Sequence, residues 1–238
     1  MTIRKIITSQ PIVNVVDIIG NLVDSIRETN TVTSSVEVSG TYTISSENTL
    51  SVNEYVTIDD VVYIVSSPTP DNFVITGVSG IDFSGKTWKS QRPYYNHGHI
   101  TEISAGLVAK SNGTDNMKKY PMVCFIEDFE SIPVSGYATS DSTLNMLIAT
   151  ETDKNYKAAK RYDKSFNPVL TPIYRNLIQA FISSSAILTQ YKTIPHTATN
   201  KVYLGKQGAY GVTSHIFKDP IDAIEIKDLI VKFYRTNC

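Results

Sequence analysis

The 238-residue chain has only two cysteines, Cys124 and Cys238, and a single tryptophan. Two cysteines are too few for a disulfide framework, so a reducing compartment is the expected setting. Cys124 sits inside an apolar run and reads as a core residue rather than a nucleophile. No apolar run approaches the roughly 20 residues needed to cross a bilayer as a helix, so no membrane partner is expected. The opening "MTIRKIITSQPIVNVVDIIG" has two basic residues, then a helix-like pattern carrying Asp17 and no small-residue cleavage site. It does not read as a signal peptide. Without a secretion signal, the sequon Asn112-Gly113-Thr114 reads as a turn. No nucleophile elbow, H-E-x-x-H, EF-hand loop or Cys-His pattern is present, so neither an enzyme nor a cofactor is expected.

Positive charge is missing from one long stretch. Between Glu28 and Gly85 there are eight acidic residues and no Lys or Arg, whereas residues 86 to 238 hold 19 basic and 13 acidic residues. The net charge of −1 hides this split. It suggests a module boundary and complementary contacts between copies, including the carboxylates Glu54, Asp59 and Asp60.

Hydrophobic content of 41% and charged content of 19% fit a soluble globular chain long enough to bury a core. "IVNVVDIIGNLVDSIRE" places Val15, Ile18, Ile19, Leu22, Val23 and Ile26 at helical spacing, which predicts an amphipathic helix over 12–28. From about residue 31, Val, Thr, Ile and Tyr alternate between "SG", "DD" and "SPTPD" turn signals. This predicts a small antiparallel meander of about five strands over 31–92. "GHITEISAGLVAK" reads as a strand, "YPMVCFIEDFE" as a central strand buried on both faces, and "STLNMLIATET" as another. Residues 152–191 read as two helices, with Thr152 or Asp153 capping the first and Pro168 and Pro172 near the start of the second. "YLGKQGAYGV" reads as a Gly-rich loop or hairpin, and "DAIEIKDLIVKFY" as a closing strand.

Several motifs point to chemistry. "GIDFSGKT", Gly80 to Thr87, matches the P-loop pattern letter for letter. A working P-loop leads from a strand into a helix whose N-terminus holds phosphate. Here "TWKSQRPYYNHG" follows, without helical periodicity, and Asp82 would sit in the cradle. Gly85-Lys86 therefore reads as a hairpin turn between "GIDFS" and "TWKSQ". His97-Gly98-His99 could place two imidazoles on one metal, but a third ligand is needed and only distant candidates exist. Glu127, Asp128 and Glu130 could form a carboxylate pair, or simply a solvated strand end. Lys154, Lys157, Arg161 and Lys164 are three or four apart, which puts four positive charges on one helical face. That face suits an acidic neighbour or nucleic acid, although pI near 6.4 argues against a dedicated DNA reader.

"KKYPMVCFIEDFE", the segment "STLNMLIATETDKNYKAAKRYDKSFNPVLTPIYRNLIQAFISS" and "HIFKDPIDAIEIKDLIVKF" together resemble the neck and tail-completion proteins of tailed bacteriophages, tail-terminator-like ring proteins in particular. The shared order is a short N-terminal helix, a strand, a strand opening with Pro121-Met122, Ile148-Ala149-Thr150 leading into a helix-rich segment, and a final strand containing Asp222-Ala223-Ile224-Glu225. The resemblance implies an α+β fold, a mixed sheet with packed helices formed by 1–30 and 93–238, with 31–92 inserted as an antiparallel β module. It further implies a non-enzymatic virion protein, assembled in the host bacterial cytoplasm into a closed homo-oligomeric ring, a hexamer or dodecamer. Such a ring joins portal or connector proteins to the tail, with DNA passing through its channel without sequence-specific contact.

Two rival readings remain. A glycan- or host-surface-binding module would use the aromatic faces of Tyr42, Tyr55, Tyr63, Tyr94 and Tyr95. A nucleotide hydrolase would use Lys86.

Overall fold

A computed structural model describes residues 14–113, 118–133, 139–188, 193–204 and 217–234. The fold is mixed α+β, with three sheets and few helices. The chain divides into two compact units. One comprises 1–26, 95–106 and 121–238; the other comprises 27–94 and 107–120.

The first unit is built on a sheet of six strands, whose pairings of β13 with β10, β11 and β12 and of β10 with β9 are antiparallel. β8 (Tyr94–Gly98), β9 (Met122–Pro133), β10 (Thr139–Glu151), β13 (Ile221–Tyr234) and β11 (Ile187–Leu188) lie side by side in the order β11-β13-β10-β9-β8, and β12 (Thr197–Leu204) also pairs with β13. The segment expected to close the chain as a strand therefore lies inside the sheet, between β10 and the β11/β12 edge. Its alternation explains the placement: Ile224, Ile226, Leu229, Val231 and Phe233 all enter the core. The even spacing of that series breaks between Ile226 and Leu229, where the register with β10 shifts and Asp228 takes a φ of 53°. A bulge there restores the apolar side chains to the same face.

That face is covered by helices. α1 (Val15–Ser25) starts where the Asn14 side chain accepts from the Asp17 amide at 2.7 Å, an N-cap that stops the first turn from fraying. Its buried residues are Ile18, Ile19, Leu22 and Val23, the stripe read from the sequence. Residues 158–183 form one continuous helical run, not two pieces: α3 (Ala158–Arg161), a π-helical segment (Tyr162–Leu170) and α4 (Thr171–Ser183). Pro168 explains the wide turns, because it has no N–H to donate and crowds the carbonyl one turn back. The Thr171 amide accordingly reaches the Phe166 carbonyl, five residues back. Neither expected cap is used. Lys157 occupies the N-cap of α3 without a side-chain bond, while the Asp153 carboxylate accepts from the Asn155 amide in the preceding turn.

"GHITEISAGLVAK" is a helix, α2 (Ile100–Asn112), not a strand. Its start carries half of a capping box: the Glu102 carboxylate accepts from the His99 amide at 3.1 Å, and the first-turn amides of Glu102 and Ile103 donate to the His99 carbonyl. Ile103 and Leu107, four apart, are its buried residues.

The second unit holds seven strands in two sheets rather than one five-stranded meander. β1 (Thr29–Thr31), β7 (Thr87–Ser90), β4 (Tyr55–Ile58) and β5 (Val61–Ile64) make one sheet in the order β1-β7-β4-β5; β2 (Ser34–Val38), β3 (Thr41–Ser45) and β6 (Asn72–Thr76) make the other. Both sheets contribute to one core: Tyr42, Ile44, Phe73 and Ile75 from the second, and Val56, Ile58, Tyr63 and Trp88 from the first. The sheets are joined at corners. Val32 bonds to Lys86 and Gly85, whereas Thr33 bonds to Ser45, so a single strand path serves β7 first and β3 next.

Candidate functional site

The P-loop look-alike is a plug in the core of the second unit. Residues 80–84 form no strand, so the expected hairpin is absent. Phe83 instead turns inward and is 1% exposed, with its ring edge-on to Tyr42 and Tyr63 at centroid distances of 4.9 and 5.6 Å. The Lys86 amide donates to the Phe83 carbonyl at 3.0 Å across a four-residue turn. Gly85 has a φ of 75° at the third position of that turn, which a side chain would strain. β7 follows, not a helix, so no helix N-terminus faces this segment. The Lys86 ammonium lies 2.5 Å from Asp59, which raises its pKa. Asp82 accepts from Ser84 and Ser35, with the Ser84 amide contributing most to holding its carboxyl below the usual range.

Of the acidic candidates, Asp59 and Asp60 form the exposed two-residue turn between β4 and β5, with φ of 49° and 62°. Glu54 is different. It is buried, and its carboxylate accepts from Ser90 Oγ at 2.6 Å, Ser51 N at 2.9 Å and Arg92 Nε at 2.7 Å. Burial nevertheless raises its pKa, opposed by the Arg92 charge. Glu54 is an internal brace and not an interface residue.

The four expected charges do not share one helical face: Lys154 lies in the turn before α3, Lys157 is its N-cap, and only Arg161 and Lys164 are helical. Lys154, Lys157 and Lys164 are exposed, but Arg161 is 6% exposed. Its Nη1 donates to Asp222 Oδ1 at 2.9 Å and Thr152 Oγ1 at 3.0 Å, its Nη2 donates to the Asp153 carbonyl at 3.2 Å, and its guanidinium lies 5.1 Å from the Tyr203 ring centroid. Asp222 is fully buried, and its Oδ1 also accepts from the Tyr203 amide at 2.9 Å, where Tyr203 has a φ of 54°. The sequence offered no cue to this pair beyond two opposite charges 61 residues apart.

The charge split also weakens once the chain folds. The second unit collects Arg27, Lys86, Lys89, Arg92, Lys110, Lys118 and Lys119 against nine acidic residues, so it is only mildly acidic. What stays acidic is an open cleft of about 560 Å³ lined by Glu28, Glu47 and Asp71 with Asn30 and Asn48. Its amides are already engaged: Asn48 Nδ2 donates to the Ser46 and Thr69 carbonyls, and Asn30 Nδ2 to that of Glu47.

The tyrosines are mostly interior. Tyr42, Tyr63 and Tyr94 are buried. Burial, aided by the Glu54 and Tyr55 charges, pushes the Tyr94 phenol up to about 12. Tyr95 is half-buried, donates to the Val16 carbonyl at 3.0 Å and is raised by burial as well. Tyr55, half-buried, carries the Lys118 ammonium 4.7 Å above its ring. These five rings do not make one aromatic surface.

In the first unit, His97 Nδ1 contacts Glu127 Oε1 and the His97 ring stacks on Tyr95. His99 Nδ1 bonds Thr101 Oγ1 at 2.7 Å, so the two histidines serve different partners. The side chains of Asp128 and Glu130, and the "KQGAYGV" part of the Gly-rich segment, lie outside the described residues. Among the described residues, no group of three or more His, Cys, Asp or Glu side chains is disposed to hold a metal, and no helix is long and apolar enough to cross a membrane.

Comparison with protein families, curated proteins and solved structures found no match to this chain.

Proposed function

We propose that this chain is a structural virion protein of a tailed bacteriophage. In this reading it is a tail-terminator-like subunit that assembles into a closed homo-oligomeric ring at the neck or tail, joining portal or connector proteins to the tail around the DNA channel. The observation that carries the reading is the make-up of the first unit. A short capped helix, three long antiparallel strands of 12, 13 and 14 residues and a helical run over 158–183 share one apolar core. These elements follow the order that the resemblance implies, except that the helix α2 stands before β9 where a strand is expected. Exposed Lys154, Lys157 and Lys164 fit the acidic face of a neighbour, and the exposed Asp59-Asp60 turn, in which Asp59 is already paired with Lys86, offers Asp60 in exchange. Ring closure needs two different faces on each subunit.

The rival readings have less support. Tyr42, Tyr63 and Tyr94 are core residues, which removes most of the aromatic surface that a glycan would stack on. The segment around Lys86 wraps a buried phenylalanine and not a phosphate.

Native mass spectrometry and negative-stain electron microscopy of the full chain test the proposal. Rings of one defined stoichiometry, and the protein's presence in purified virions, are expected. A strictly monomeric chain absent from virions would sink it.

A further inference from the structure

Strand edges of the second unit are tied to neighbouring segments in several places. On β2, the residues whose backbone faces outward are Ser35 and Glu37, and their side chains bind the 80–83 segment. Ser35 Oγ accepts from the Phe83 amide at 3.1 Å, and the Glu37 carboxylate accepts from the Gly80 amide at 2.8 Å. On β1, the Thr31 carbonyl accepts from Ser46 Oγ, and the Asn30 side chain reaches the Glu47 carbonyl. On β6, the Val74 carbonyl accepts from the Ser66 amide at 2.8 Å. In the first unit, the β12 edge carries Lys201 and a register shift, two recognised protections.

β5 has none of these. The Asp59-Asp60 turn makes Ile58 and Val61 the closing pair with β4, so Val61, Tyr63 and Val65 bond inward; the Val65 amide indeed meets the Glu54 carbonyl at 2.8 Å. By the same alternation the N–H and C=O groups of Val62 and Ile64 point away from β4, and among the described residues no strand pairs with them. Their side chains stand on the outer face, 47% and 51% exposed. The run "VVYI" has no charge, proline or bulge.

We propose that this free edge pairs with β5 of a second copy, antiparallel and two-fold symmetric about Tyr63. Val62 then faces Ile64 of the second copy, and Ile64 faces its Val62. All four outward N–H groups meet an outward C=O, giving four backbone hydrogen bonds and a cluster of four β-branched side chains. The register also sorts the charges. Asp60 falls opposite Ser66, and Asp59 opposite Ser67. A parallel arrangement would set Asp59 and Asp60 against their own copies, and like charges directly opposite are destabilising. The ladder stops after two residues because the Ser66 amide is already committed to Val74. This contact is isologous, so it is separate from the two-faced contact that closes a ring.

The test uses the full chain in a Cys238→Ser background. A Val62→Cys chain and an Ile64→Cys chain are mixed under mild oxidation. Directly opposed residues in a hydrogen-bonded pair have Cα atoms about 5.5 Å apart, within disulfide range. The mixture is expected to give disulfide-linked dimer in at least about tenfold excess over either variant alone. In sedimentation runs, the Val62→Lys/Ile64→Lys double variant is expected to weaken self-association by a similar factor. Equal cross-linking by the single variants, no cross-linking in the mixture, unchanged association of the lysine variant, or capture of a different chain at β5 would each overturn the pairing. If the lysine variant misfolds, judged by the emission of buried Trp88, the near-isosteric cysteine pair decides alone. Rings that persist without the cross-link overturn this contact and leave the ring proposal standing; the cross-link without rings does the reverse.

Discussion

Arg161 separates a structural account of the basic segment from a surface-charge account. Its guanidinium and the Asp222 carboxylate are both almost fully buried, 2.9 Å apart. At an effective dielectric near 20, a pair at about 4 Å gains roughly 4 kcal/mol of attraction, which is largely offset by the cost of dehydrating both charges. The pair is therefore near neutral as a unit, yet removing one member leaves the other buried without its counter-charge. Arg161→Ala is expected to destabilise the first unit by about 3–5 kcal/mol, because Thr152 and Asp153 lose the guanidinium donor and Asp222 keeps only the Tyr203 amide. Arg161→Lys, with one compact head in place of a planar fork, should recover only part of that loss. Arg161→Met/Asp222→Leu should be far milder than either single change. By contrast, Lys157→Ala and Lys164→Ala should stay within about 0.5 kcal/mol, as exposed residues do. Urea unfolding followed by far-UV circular dichroism reads all five. An Arg161→Ala loss below about 1 kcal/mol, or equal losses at Lys164 and Arg161, would show that Arg161 is no buried brace.

Phe83→Ala should cost about 3–5 kcal/mol in the second unit, as a large buried aromatic does. Lys86→Ala should leave stability close to that of the unaltered chain, since its partner Asp59 is more than half exposed; Trp88 fluorescence in urea distinguishes the two, and the reverse ranking would contradict the plug. The Tyr94 phenol, raised to about 12 from the usual 10.0, holds its proton more tightly folded than unfolded. Its contribution is fully present below pH 10 and is lost as pH rises towards 12. Absorbance titration should show a late-ionising tyrosine missing from Tyr94→Phe, and that variant's denaturation midpoint should fall less steeply over this window.

The sequence was most legible where periodicity and burial coincide. Ile18, Ile19, Leu22 and Val23 announced α1, and the alternation through Ile224 and Ile226 announced β13. α2 was misread because Ile103 and Leu107 are its only buried residues, so its apolar stripe is too thin to dominate. The sharper cue was Glu102, three residues after His99, whose carboxylate caps the His99 amide. The two-sheet arrangement of the second unit was hidden because the switch lies between Val32 and Thr33, in hydrogen bonds to residues more than ten positions away. The charge patterns misled for a related reason. Spacing along the chain cannot reveal that Arg161 meets Asp222, or that Glu54 meets Arg92, since long-range pairing buries a charge that local sequence leaves exposed. The P-loop match failed on its surroundings, with Phe83 taken into the core and β7 in place of a helix.

Assembly into a ring at the neck or tail can be seen by electron cryomicroscopy of the purified virion. Density for both units of this chain is expected, repeated around the channel axis, with the 12-, 13- and 14-residue strands resolved in each copy. A virion whose neck and tail rings are filled by other chains, with this one absent, would contradict it.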